Sequence, residues 1–303
     1  MKYDKKKIRY YLIWTFVIAW ILQGVAIYCV WNGIADVYQA ILAVSMFAPL
    51  VGALLSKHSL KGLGWKPQLK GKVRYYLLGW FGPAVVSVLG AALFFILFRG
   101  AFDPNAGLLA ATIGATGMEQ LAAQGLTPAK YLLISSVSAV TYAPLLNMFA
   151  AIGEEVGWRG VLSPALRERF GKVKGSLLMG LIWGVWHWPI IILAGYEYGL
   201  SYVGAPVLGP FVFLVFTFSA GVILDWLYRK SGCIWLPAIT HGAINAFAAI
   251  PLYFLAVDKV QLQIFGPAPV GLVAGIPFLI AAIVILCYDK SNLKTDEKSG
   301  EEG

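Results

Sequence analysis

The stretch Gly153-Glu154-Glu155-Val156-Gly157-Trp158-Arg159 places two carboxylates and an arginine between strongly apolar segments. An ionisable side chain at the centre of a bilayer is disfavoured by roughly 2.5 to 3.5 kcal/mol on insertion scales, so such a cluster indicates a functional site. The alternative is a helix end where the carboxylates reach water, with Glu155 and Arg159 forming an ordinary ion pair at i, i+4.

The composition around this stretch indicates a membrane protein. Of the 303 residues 59% are hydrophobic and 13% are charged, and the mean hydropathy is +0.73. Helices of about 20 apolar residues are needed to cross a hydrocarbon core of about 30 Å. We therefore predict an all-α polytopic protein that forms a single membrane domain over residues 1–288, followed by a disordered tail over residues 289–303.

Apolar runs of the required length predict about eight transmembrane helices that enclose an intramembrane cavity. Pro144 is expected to kink the fourth. After it, residues 161–173 have the pattern of a short amphipathic helix at the membrane surface. The conformation of residues 99–128 stays open between an irregular loop, a re-entrant piece and a short helix. The predicted spans are residues 8–30, 37–55, 75–98, 130–155, 175–194, 207–228, 234–255 and 269–288.

The basic residues predict the orientation of these spans. The net charge is +9, yet of the 24 Lys and Arg residues only Arg99, Lys130 and Lys259 fall on one side of the eight-span arrangement. Cytoplasmic loops carry the excess of Lys and Arg, so both termini are predicted to be cytoplasmic, at the plasma membrane if the source is prokaryotic. This orientation explains the basic excess. We therefore expect membrane lipids as partners and no nucleic acid.

Two histidines lie inside predicted spans, and each has a neighbour one helical turn away. His187 is about 18 Å into the fifth span and shares a helix face with Trp183. His241 and Asn245 repeat the i, i+4 spacing in the seventh. A core histidine and an interhelical hydrogen bond, which stabilises by about 0.6 to 2 kcal/mol, are the structural alternatives.

Glu154, His187, His241 and Asn245 can share one cavity that opens toward the cytoplasm. Hydrolysis of an amide suits these groups, because a carboxylate or an imidazole can take a proton from water while an imidazole and a carboxamide stabilise an oxyanion. A proton pathway or ion site would also use Glu and His. A membrane transporter and a non-catalytic scaffold or immunity protein are therefore the alternatives.

The three motifs, within a core of residues 153–246, resemble a known signature. Glu154-Glu155 with Arg159, His187 preceded by an aromatic residue, and His241 with Asn245 are similar to the motifs of CAAX prenyl protease 2, the Rce1-type intramembrane endopeptidases. They equally resemble the wider CPBP family. Trp183 stands where that pattern usually has Phe.

The resemblance implies a glutamate-dependent intramembrane protease. Glu154 and His187 would activate water, and His241 and Asn245 would form the oxyanion hole. Glu155, Arg159 and Trp183 would support the site. The substrate would be a peptide or prenylated protein C-terminus, from whose CaaX segment the last three residues are removed.

A metal-dependent mechanism is the alternative within this family. Zinc would be held by Glu154, His187 and His241, with a fourth position open. The sequence has no His-Glu-x-x-His run. We expect a mechanism without a cofactor.

Overall fold

The computed structural model describes residues 3–34 and 37–289 and confirms the all-α prediction. In that part of the chain, the only β-type backbone pairing is an isolated bridge between Phe102 and Leu255. Two 3-10 segments, Pro251–Phe254 and Val257–Ile264, follow the twelfth helix. The helices are α1 Lys5–Trp31, α2 Ala35–Ser45, α3 Ala48–Leu55, α4 Val73–Leu97, α5 Gly107–Ala123, α6 Pro128–Val140, α7 Ala143–Gly157, α8 Ser163–Phe170, α9 Lys172–Trp186, α10 Trp188–Ala194, α11 Leu208–Ser231, α12 Trp235–Phe247 and α13 Ile276–Asp289.

Five helical segments in the described residues are long and apolar enough to cross a membrane, and a bent pair makes up to six. This is the architecture of an integral membrane protein, but the count of eight is not confirmed. In the seventh predicted span, α12 has 13 residues, which at 1.5 Å per residue is shorter than the hydrocarbon core. In the eighth, residues 269–288, helix α13 begins only at Ile276. The five segments are Lys5–Trp31, Val37–Leu55, Val73–Leu97, Lys172–Ala194 and Leu208–Ser231.

The bent pair is the fourth predicted span. Helix α6 and the segment Ala143–Phe170 meet at an angle of 59°. The break falls at residues 141 and 142, and Pro144 then lies in the first turn of α7, where its missing N–H leaves no gap in the helix. The predicted kink is therefore present, immediately before the proline.

The predicted short amphipathic helix over residues 161–173 is present as α8, and its place at the membrane surface stays a prediction. A π-helical turn, Trp158–Leu162, joins α7 directly to α8. Val161, Leu162 and Leu166 are buried within the protein. Glu168 and Arg169 of α8 are exposed, whereas Arg167 pairs with the buried Asp225, so α8 packs its apolar face against the bundle.

The undecided stretch 99–128 contains a helix. Helix α5 breaks at Gly114, which has a φ of 67° that side chains rarely adopt. Asp103 accepts hydrogen bonds from the backbone of Asn105 and Gly107 and so fixes the entry to α5.

Hydrogen bonds between loops define two ends of the bundle. At one, which we call the basic end, Ile234 N donates to Leu63 O and Lys72 Nζ to Ser231 O. At the opposite end, Asp103 N donates to Phe254 O and Val203 N to Gln261 O. The loops rich in Lys and Arg thus lie together. Which membrane face each end meets stays a prediction.

Helices α7 and α12 form the most extensive helix pair of the structure and carry most of the polar motifs. Their backbones approach closely at Gly242, where a Cβ atom would lie 2.6 Å from Pro144 O. Small residues allow such approach between membrane helices. The single-domain organisation stays a prediction, and the predicted disordered tail lies, apart from Asp289, outside the described residues.

Candidate functional site

A cavity of about 700 Å³ lies among α7, the end of α9 and α12. Its walls include the four predicted catalytic residues, Glu154, His187, His241 and Asn245. Trp183 also lines it, whereas Glu155 and Arg159 lie behind the wall. The structure therefore brings the whole predicted set to one place, although the three motifs span almost a hundred residues.

Glu154 is held by two indole rings. Its Oε2 atom accepts hydrogen bonds from Trp158 Nε1 at 2.9 Å and from Trp183 Nε1 at 2.7 Å. No side chain of the described residues bonds to the other oxygen, Oε1, and Glu154 lines the cavity. Two N–H donors thus compensate for burial of the carboxylate, and one oxygen stays available for a cavity occupant.

Glu155 points away from the cavity and pairs with two other buried groups. Its Oε1 atom lies 3.0 Å from Arg159 Nη1 and 2.8 Å from His241 Nδ1. Glu155 and Arg159 are both 0% exposed. The predicted i, i+4 ion pair is present, and the same carboxylate also fixes an imidazole on α12.

The Arg159 guanidinium is only partly hydrogen-bonded. Its Nε and Nη2 atoms, like Glu155 Oε2, have no hydrogen-bond partner among the described residues. The guanidinium instead lies 4.5 Å from the centroid of the Trp183 ring, a cation–π contact. Because the guanidinium is fully desolvated, its positive charge is stabilised by Glu155 and by the Trp183 ring rather than by water.

His187 lies between α9 and α10 and is 9% exposed. Its Nδ1 atom is 2.9 Å from the backbone oxygen of Trp183. A carbonyl can only accept, so Nδ1 carries the hydrogen and the neutral ring keeps Nε2 as an acceptor. The ring stacks on Tyr196 at 6.0 Å between centroids and meets Trp186 and Phe213 edge-on. These contacts fix its orientation.

Trp183 connects all three motifs. Its indole N–H donates to Glu154, and its ring covers Arg159 and meets the His241 ring edge-on at 5.5 Å. The sequence predicted that Trp183 would wall or orient His187. The structure adds the hydrogen bond to Glu154, which requires an indole and which phenylalanine could not make.

Asn245 is exposed within the cavity wall, one turn along α12 from His241. Both groups therefore face the same space, as their i, i+4 spacing predicts.

The proposed zinc ligands do not form a metal site in this geometry. In the described part of the chain, no three His, Cys, Asp or Glu side chains lie close enough together to hold a metal ion. The Nδ1 atoms of His187 and His241 are bonded to Trp183 O and Glu155, so Nε2 is the ring nitrogen of each that could bind a metal ion.

Three residues of the site were not singled out from the sequence. Trp158 donates to Glu154. It lies four residues after Glu154, and this i, i+4 spacing could have indicated the contact. Tyr196 stacks on His187, and Glu197 lines the cavity. Both lie in the loop between α10 and α11, where no helical periodicity indicates which way a side chain points.

The fold and site thus define an integral membrane protein with a Glu/His cluster at an internal cavity. Residues 136–247 match the family described as type II CAAX prenyl endopeptidase Rce1-like. This segment contains every site residue predicted from the sequence, so the resemblance is confirmed over that range.

A curated relative gives a second comparison. CAAX prenyl protease 2 of Methanococcus maripaludis is 30% identical over 146 residues, which is 48% of this chain. The aligned segment spans about half the length of that relative, 49%.

Proposed function

We propose that this protein is an intramembrane endopeptidase of the CAAX type that hydrolyses a peptide bond with an activated water. The observation that carries the proposal is the shared cavity: Glu154 and His187 line it together with His241 and Asn245, and each of the first two keeps one acceptor atom outside its hydrogen bonds to tryptophan. The Rce1-like match and the curated relative support the same reaction class.

In the proposed reaction, water attacks the carbonyl carbon of the scissile bond. The water proton passes to the base formed by Glu154 and His187, then to the leaving amine nitrogen as the C–N bond breaks. Asn245 donates to the oxyanion from its amide. His241 can donate from Nε2 only when both ring nitrogens carry hydrogen, since Glu155 accepts at Nδ1.

The proposed substrate is a C-terminal segment bearing an isoprenyl group. The apolar side of the cavity supports this, because Ile190, Phe213 and Phe216 line it beside the polar cluster. A cavity of this size suits a ligand with an apolar chain and a few polar contacts. The opening toward the cytoplasm stays a prediction, because part of the cavity wall, including Glu197, lies at the end opposite the basic loops.

The test is cleavage of a farnesylated CaaX peptide by the purified protein. Glu154→Gln keeps an acceptor for the two indoles but removes the base, so we expect activity to fall by about 10² to 10⁴. His187→Ala should behave similarly. Glu119→Gln, an exposed carboxylate on α5, is the control and should retain activity. Proton-driven flux in liposomes without cleavage would instead support a transporter.

We also propose that the reaction needs no metal. Activity should then survive a chelator in the wild-type protein and fall in Glu154→Gln with or without zinc. Loss with chelator and recovery on adding zinc would contradict this part.

A further inference from the structure

The cavity contains a second carboxylate that the proposed hydrolysis does not use. Glu197 lines the cavity from the loop between α10 and α11, at the opposite end of the bundle from the basic loops. Its side chain is half-buried. Its φ is 69°, in the left-handed region that a residue with a Cβ atom seldom occupies.

The loop around Glu197 is anchored on both sides. Tyr198 is buried, and its hydroxyl donates to Val270 O at 2.8 Å. Gly199 N donates to Gly195 O at 2.8 Å and closes a tight turn that contains Glu197. A backbone held in a disfavoured conformation by its surroundings often marks a functional position. The turn therefore holds Glu197 at the cavity wall.

The charges of the cavity wall are of one sign. In the described part of the chain, the wall includes the carboxylates of Glu154 and Glu197 but no Lys or Arg. Glu154 has two indole donors, whereas no Lys or Arg of the described residues interacts with Glu197. A cavity lined in this way favours a cationic group in its occupant.

The position of Tyr196 relates Glu197 to the reacting groups. Its ring stacks on His187, and Glu197 is the next residue of the chain. Tyr196 and Glu197 both line the cavity, so the carboxylate neighbours the residue that contacts the imidazole. A substrate side chain bound at Glu197 would belong to a residue near the scissile bond. If that residue is a lysine, its aliphatic stem could lie along the Tyr196 ring.

We propose that Glu197 is a specificity-determining residue that binds a cationic side chain, Lys or Arg, of the peptide substrate close to the scissile bond. This inference rests on the proposed function. Glu197 takes no part in bond cleavage, and its effect is selection among substrates that share the same reacting bond.

The experiment compares farnesylated peptides that differ at one residue. Lys, Met or Glu is placed in turn at each position flanking the cleaved bond, and kcat/KM is measured. At one position we expect the Lys peptide to be favoured over the Met peptide by about ten- to a hundredfold, as for a hydrogen bond to a charged group. Glu197→Gln should remove the preference, Glu197→Lys should reverse it toward the Glu peptide, and Glu119→Gln should leave it intact.

The outcomes separate the two proposals. If the wild type cleaves the peptides and Glu197→Gln shows the same charge preference, the proposed role of Glu197 is overturned. The protease proposal then still stands. If no peptide is cleaved, the protease proposal fails, and binding of the Lys and Met peptides decides the rest. Tighter binding of the Lys peptide that is lost in Glu197→Gln would support the cationic site, and equal binding would overturn it.

Discussion

Glu155 Oε1 lies 2.8 Å from His241 Nδ1 and joins α7 to α12 across 86 positions of the chain. The same oxygen accepts from Arg159 Nη1. One buried carboxylate therefore neutralises a guanidinium and orients an imidazole at the cavity wall. This gives Glu155 a role distinct from that of Glu154, whose bonds are to two tryptophans.

Removing the Glu155 charge should destabilise the protein strongly. Glu155→Gln leaves the Arg159 guanidinium buried without its anion, for which we expect a loss of about 3–5 kcal/mol in the free energy of unfolding. Thermal unfolding in detergent measures the change. Glu119→Gln, which alters an exposed carboxylate, is the matched control.

A double variant distinguishes charge from orientation. Glu155→Gln with Arg159→Met removes both members of the ion pair, so much of the lost stability should return. Activity should not return, because His241 still lacks its carboxylate. Recovery of both properties would show that Glu155 serves stability alone.

Contacts within one helix could be predicted from the sequence. Glu155 with Arg159 and Trp183 with His187 follow from i, i+4 spacing, and the structure contains both contacts. Pairing between helices could not be predicted in the same way. His241 was assigned to Asn245 on its own helix, and its bond to Glu155 depends on how α12 packs against α7.

Hydropathy also failed to give the length of the seventh predicted span. Residues 234–255 form one apolar run, yet α12 ends at Phe247 and a 3-10 segment follows at Pro251. Hydropathy does not distinguish a lipid-facing helix from irregular backbone buried in protein, because both are apolar in composition. Glu197 was not singled out from the sequence, because a charged residue between two glycines of a loop does not by itself indicate a site.

The close approach of α7 and α12 should depend on Gly242. In Gly242→Ala the new methyl group would meet Pro144 O and Met148 N within 2.8 Å, so the helices must separate. We expect a loss of about 1–3 kcal/mol in stability and reduced activity, as His241 moves from Glu155. Gly24→Ala in α1 is the control, because nothing lies within 4 Å of the added atom. Equal unfolding temperatures for the two variants would contradict the prediction.

The indole hydrogen bond to Glu154 should matter for activity more than for folding. Trp183→Phe keeps a ring over Arg159 but leaves Glu154 with one donor instead of two. Hydrogen bonds to charged groups contribute about 1.5–3 kcal/mol, so kcat should fall roughly ten- to a hundredfold. Trp186→Phe is the matched control, since Trp186 Nε1 has no hydrogen-bond partner among the described residues. An equal loss of kcat in both variants would assign the effect to ring packing.

The charge preference attributed to Glu197 should vanish at low pH. Burial raises the pKa of the Glu197 carboxyl above its ordinary value, and the neighbouring Tyr196 hydroxyl opposes that rise. Above this pKa the ionised carboxylate favours the Lys peptide, and below it the neutral acid does not. The ratio of kcat/KM for the Lys and Met peptides measures the change, since the titration of groups that serve both peptides cancels. The titratable neighbours of Glu197 are Tyr38 in α2, Tyr196 and Tyr198. Burial raises the pKa values of Tyr196 and Tyr198, so both stay neutral throughout. We therefore expect the ratio to fall at a higher pH than an exposed glutamate would give, and a ratio independent of pH would contradict the assignment.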